Sequence, residues 1–212
     1  SDSGTRNVAT AKGRTLLMII CIFKIFFDDL WTIFEVSVFM EYYCLLVKTG
    51  EEEKFKGAAL EKLSLTDFTV DFYFFQRSLK TNQGKVFENP LFPGYIFFST
   101  EQLVPELMMI LKKVKGFIRF LIDNTNPIKI VGRQLEELRI FIRNGEHWGI
   151  SKVEFLPGKN VRAISGPLVG LEGKIYKVNK KRGRVTIMTS LSLDGRKIDL
   201  AFESVQLVDE GK

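Results

Sequence analysis

The residues of this chain best suited to chemistry are cations. Lys177-Val178-Asn179-Lys180-Lys181-Arg182-Gly183-Arg184 puts five basic side chains into eight residues, at what reads as the tip of a β-hairpin. Such a concentration attracts phosphates without specifying sequence. A solubilising turn is the plain alternative, and the density of charge favours nucleic-acid contact. A second basic set is Lys48, Lys54 and Lys62, with Lys112, Lys113 and Lys115 near the end of an expected helix. The last three equally suit the negative end of a helix dipole. Little else in the sequence could react. His147 is the one histidine of 212 residues, and Cys21 and Cys44 are the two cysteines. They give neither a disulfide framework nor metal-ligand spacing, and a reducing cytoplasm is their simplest setting. No nucleophile–base pair and no phosphate-binding P-loop is present. The expectation is a binding protein, not an enzyme, with no cofactor and no metal. A formal charge of +6 is compatible with a nucleic-acid partner.

The elements that position these residues fall into two blocks. Tyr42–Val47 is apolar on both faces and reads as a central strand. Thr49 and Glu52 fit a capping box ahead of a helix carrying Phe55, Ala59 and Leu63. Val70–Gln76 reads as a strand, Asn82-Gln83-Gly84 as a hairpin turn, and Lys85–Phe87 as its return. Phe92-Pro93-Gly94-Tyr95 is a turn that releases the apolar strand Tyr95–Phe98. Ser99 and Gln102 fit a second capping box before a helix with Leu103, Leu107, Ile110, Leu111 and Val114, ended by Gly116. Strands are expected at Phe117–Ile122 and Ile128–Val131. A third helix, Gln134–Arg143, is expected to turn Leu135, Leu138 and Ile142 inward. Antiparallel strands interleaved with helices give an α+β sandwich over 40–145. Residues 146–154 read as a linker holding Trp148. Residues 155–212 read as a small β-barrel with Val161, Ile175, Val178, Val185, Ile187, Ile198, Leu200 and Val205 as core. A barrel that small has no core to spare.

Residues 1–39 do not match the rest. Ser1–Thr15 is polar, Leu16–Phe27 is apolar apart from Lys24, and two aspartates precede a further apolar run up to Met40. A signal peptide would need a small-residue cleavage site. A membrane span needs about 20 apolar residues, more than precede the aspartates. The favoured reading is an extension upstream of a natural start at Met40, with no membrane partner.

The order of these pieces, ENPLFPGYIFFS followed by VRAISGPLVGLEGKIYKV, resembles the NusG family of transcription elongation factors. LLVKTG, ENPLFPGYIFF and VKGFIRF resemble most its specialised paralogs of the RfaH and LoaP type. One departure is Leu107-Met108-Met109-Ile110, where RfaH has a His- and Thr-rich run facing the polymerase gate loop. The resemblance implies a NusG N-terminal domain, an antiparallel sheet sandwiched by helices, and then an SH3-like KOW barrel. It implies RNA polymerase as partner, with Leu46, Phe92, Tyr95 and Phe97 lining an apolar groove for the clamp coiled coil. Ordinary core is the alternative for these four. It implies nucleic-acid contact by Lys48, Lys54 and Lys115, through non-template DNA, and by the tip residues Lys177, Lys180, Lys181, Arg182 and Arg184, through a nascent RNA hairpin. A ribosomal protein is a further possible partner of the barrel. The function implied is processive antitermination in chosen operons by a cytoplasmic monomer of bacterial type. Alternatives are a ribosome-associated KOW RNA-binding protein and a housekeeping NusG acting with a termination factor and the ribosome.

Overall fold

The expected first strand forms as β1 (Glu41–Val47) and is central. The computed structural model describes residues 40–81, 83–156, 161–191 and 197–205; the 1–39 extension lies outside them. The described residues from Glu41 onward belong to one compact unit. The main sheet runs β2 (Val70–Tyr73), β5 (Tyr95–Thr100), β1, β6 (Phe117–Phe120), antiparallel throughout. Alternation along β1 sends Tyr43, Leu45 and Val47 to one face, where they share a core with Ile96 and Phe98 of β5. Helices α1 (Glu52–Leu63) and α2 (Pro105–Lys112) close that face with Phe55, Ala59, Leu107 and Leu111. The opposite face is covered by α3 (Gly132–Arg143).

Several local expectations shift. Residue Glu51, not Thr49, sits at the N-cap of α1, and no side chain caps it. Helix α2 begins at Pro105, which is preset for the first helical position, so Ser99 stays in β5 and is buried there. The strand expected over 70–76 breaks after Tyr73, and its end starts β3 (Gln76–Lys80) in a different sheet. That sheet orders β4 (Val86–Pro90), β3 and β7 (His147–Trp148). Asn82 of the expected hairpin turn lies outside the described residues. Ile128–Val131 forms no strand, although Ile130 N–H donates to Tyr42 O over 2.7 Å. In α3 the buried residues are Glu137, Leu138 and Phe141 rather than Leu135 and Ile142.

Residues 146–154, expected as a linker, carry strands that belong to both halves. Trp148 of β7 is buried and stacks on Phe141, 4.4 Å between centroids, and its Nε1 donates to Gly145 O. The barrel starts at β8 (Ser151–Phe155). It continues with β9 (Val161–Ser165), β10 (Ile175–Asn179), β11 (Arg184–Met188) and β12 (Lys197–Ser204), in sheet order β10-β11-β12-β8-β9. Val185, Ile187, Ile198 and Leu200 fill its centre as expected. Val161, Ile175, Val178 and Val205 are only half-buried. Leu168 and Leu171, from the Gly-Pro turn region, and Val153 take the remaining volume.

Candidate functional site

Two surfaces follow from this frame. The first lies where β1 and β5 meet the Phe92–Tyr95 turn. Tyr95 N–H donates to Phe92 O, and Gly94 sits at φ 83°. A Cβ on Gly94 would come 3.0 Å from Thr49 Oγ1 and 3.3 Å from Val47 O, so both backbone conformation and close approach require glycine. Glu52, buried at the start of α1, clasps this turn. Its Oε1 accepts from Gly94 N–H at 2.8 Å and its Oε2 from Gly50 N–H at 2.7 Å. The sequence pattern identified Glu52 as a residue that reaches back, but not that it would hold the turn.

The four expected polymerase-facing residues separate. Leu46 pairs with Tyr95 across β1 and β5, and both are half-buried. Phe92 and Phe97 are 4% and 2% exposed. Their rings pack edge-on at 5.3 Å, and Phe75 and Phe141 close around them at 5.6–6.4 Å. Phe141 comes from α3, and its place three residues after Leu138 was the available signal. These two phenylalanines are thus the floor beneath the turn, and Leu46 and Tyr95 are what the surface presents.

Around the same corner Lys48, Lys54 and Lys115 surround one carboxylate. Lys48 Nζ lies 2.7 Å from Glu51 Oε1. The Lys48 hydrogen bond holds Glu51 below the usual carboxylate range, and the charges of Lys54 and Lys115 add to it. Lys112 turns elsewhere, donating to Asn124 O.

The second surface is on the barrel. Lys180–Arg182 form a single 3-10 turn between β10 and β11. Asn179 Oδ1 accepts from Arg182 N–H at 3.1 Å, and Gly183 closes the turn in the left-handed region. The five tip cations are not equivalent. Lys177, Lys180, Lys181 and Arg182 are exposed. Lys180 Nζ sits 3.8 Å above the Phe155 ring. Arg184 is half-buried and donates through Nη2 to Lys80 O of β3 at 3.4 Å.

That last bond belongs to a polar joint between the sheet domain and the barrel. Arg77 Nη1 donates to Asp199 O at 2.6 Å, and Lys80 pairs with Glu203 at 3.2 Å. Glu137 of α3 is 2% exposed. Its Oε2 accepts from the backbone N–H and hydroxyl of Ser190, and Lys174 Nζ lies 2.9 Å from Oε1. Burial alone would raise the Glu137 carboxyl, but the Ser190 and Lys174 hydrogen bonds outweigh it and leave it below the usual carboxylate range. Nothing in the sequence pattern marked Glu137, a glutamate on an amphipathic helix. Among the described residues no cluster could hold a metal ion, and no helix is long and apolar enough to cross a membrane.

Comparison with known proteins agrees with this geometry. The family model described as transcription termination factor nusG matches residues 40–139, and that of the KOW motif matches 157–188. The chain is 27% identical over 184 residues to the transcription termination/antitermination protein NusG of Thermus thermophilus, covering 78% of this chain and 97% of that one. It is 25% identical over 179 residues to the same-named protein of Chlamydia pneumoniae, covering 81% and 97%. A solved structure titled "Domain interaction in Thermotoga maritima NusG" superposes with a TM-score of 0.51 at 21% identity, covering 76% of this chain and 92% of that one. The shared fold is that of NusG, and these relatives are named as NusG transcription termination/antitermination proteins.

Proposed function

We propose that the protein is a specialised NusG-type elongation factor that rides on RNA polymerase and suppresses pausing or termination in chosen operons. The observation that carries this reading is a NusG-type sheet domain followed directly by a KOW barrel on one chain. Polymerase docks where Leu46 and Tyr95 flank the glycine turn, over the buried floor of Phe92 and Phe97. A helical hairpin of the clamp laid on this edge draws its affinity from few anchors, Tyr95 foremost. Lys48, Lys54 and Lys115 meet non-template DNA passing the same corner. The exposed cations of the barrel tip meet nascent RNA. The protein acts as a monomer in the cytoplasm by binding and population shift, without chemistry of its own.

The test uses the full chain. Tyr95→Ala should weaken capture of core polymerase by about 2 kcal/mol, the usual worth of an aromatic anchor, with little change in thermal midpoint. Lys180, Lys181 and Arg182 replaced together by Ala should lower affinity for RNA hairpins and flatten its salt dependence, with polymerase capture unchanged. Polymerase capture that survives Tyr95→Ala but is lost in the tip variant would reverse the assignment of the two surfaces.

A further inference from the structure

The barrel carries an aromatic residue that its core does not use. Ile175 of β10 stands opposite Ile187, and Lys177 opposite Thr186, so the register slips and Tyr176 is the extra residue. Such a bulge leaves one residue unpaired and re-aims its side chain. Tyr176 is 57% exposed, and Met188, on the neighbouring strand β11, is 50% exposed. Met188 stands opposite Lys197 of β12, whose Nζ lies 3.7 Å from the centre of the Tyr176 ring. The Lys197 ammonium therefore lies over one face of the Tyr176 ring, with exposed Met188 on the strand between them. In a barrel this small, every apolar residue placed outside weakens a core with nothing to spare.

We propose that Tyr176, with Met188 and Lys197 beside it, is a base-stacking platform for single-stranded RNA. The proposal rests on the reading of the barrel tip as a nucleic-acid contact and deepens it. Charge complementarity selects the occupant. Lys177 adjoins the ring, and the turn Lys180–Arg182 lies four residues further along β10, about 13 Å away at ~3.3 Å per residue. One strand can touch both, with a base on the ring and phosphates on the tip. Asp199, on the same strand as Lys197, accepts from Thr186 Oγ1 and lies close to the Arg77 guanidinium, so its charge is already engaged. A paired duplex hides its base faces and could use only the cations. An unstacked base offers a face to an aromatic ring whatever its identity. The platform thus divides the work of the barrel: the tip supplies charge, and Tyr176 selects single strands over duplex.

The experiment measures binding of the full chain to a labelled single-stranded RNA oligonucleotide and to a blunt RNA duplex of the same length, with polymerase capture alongside. Tyr176→Ala should lower single-strand affinity about tenfold, within the usual worth of one base stack. Its salt slope and its affinity for duplex should stay those of the parent, because no charge is removed. Tyr176→Phe should retain single-strand binding. The platform is overturned if Tyr176→Ala binds the single strand like the parent. It is also overturned if affinity for duplex falls equally, or if polymerase capture falls while RNA binding holds, which would give the ring to a protein surface. Where the platform fails but the triple tip variant still loses RNA affinity, the tip reading stands alone. A parent that binds neither RNA overturns both, and retained polymerase capture would leave the elongation-factor reading in place.

Discussion

The aromatic corner of the sheet domain and the outer face of the barrel make opposite use of similar residues. At the corner, Phe92 and Phe97 sit beside a Pro-Gly turn, a place that suggests exposure, yet both are buried, Phe92 against Phe141 of α3 and Phe97 against Phe92 and Phe75. On the barrel, Tyr176 lies within a strand, a place that suggests burial, yet a bulge turns it out. Local position therefore decided neither case. What decided them was whether another element arrives to cover the ring. A third helix reaches the sheet, whereas no described helix covers the β10–β11 face, where the Tyr176 ring meets a lysine instead. An exposed aromatic and a buried one thus carry different meanings: the first is available to a partner, and the second sets the shape of what a partner meets.

The sharpest way to break this contrast is to empty the floor. Phe92→Ala should cost about 3–4 kcal/mol of stability by leaving a cavity among Phe75, Phe97 and Phe141, read as a lowered denaturant midpoint. Tyr176→Ala should leave the midpoint within about 0.5 kcal/mol. If instead Phe92→Ala keeps full stability and loses only polymerase capture, Phe92 is an exposed anchor and the contrast is void. Next comes the clasp. Glu52→Ala removes two acceptors from buried or half-buried N–H groups and should cost about 2 kcal/mol. It should also loosen the glycine turn, seen as faster amide exchange at Gly94; unchanged exchange there would show that the turn holds itself.

The joint between the two regions gives a smaller, pH-dependent effect. The folded-state Glu137 carboxyl is lowered, so its contribution is present above the ordinary glutamate value of about 4.3 and is lost as pH falls through the folded value. Glu137→Gln keeps one acceptor for Ser190 but gives up the Lys174 charge pair. It should lower the thermal midpoint by the equivalent of about 1 kcal/mol near neutral pH, and its deficit relative to the parent should shrink on acidification. A deficit that stays constant down to acid pH would mean that Glu137 does not titrate as this geometry requires. The smallest effect is expected at the surface: Lys54→Ala should change stability by less than about 0.5 kcal/mol while reducing affinity for single-stranded DNA at low salt. An unchanged affinity would leave the lysines around Glu51 as a solvated face.

Much of the frame was legible in the sequence because it depends on short-range pattern. The two-faced apolar run of β1, the spacing of Phe55, Ala59 and Leu63 in α1, and the glycine demanded by the Phe92–Tyr95 turn are local facts, and they appear where the pattern puts them. The basic tip follows from composition alone, since five cations in eight residues cannot all be buried. The long-range facts were not legible. That Glu52 would bond to Gly94, 42 residues away, that α3 would cover Phe92, and that Trp148 would stack on Phe141 instead of lying in a linker all depend on which surfaces meet. The same holds for Glu137, which differs from other helical glutamates only because Ser190 and Lys174 arrive from the barrel. The bulge at Tyr176 depends on the register between two strands, and one residue of slip decides whether a side chain points into the core or out of it. The sequence by itself determined the elements, the turns and the charge. Only the tertiary structure decided which aromatics are floor and which are surface, because burial is a property of the pair of surfaces in contact.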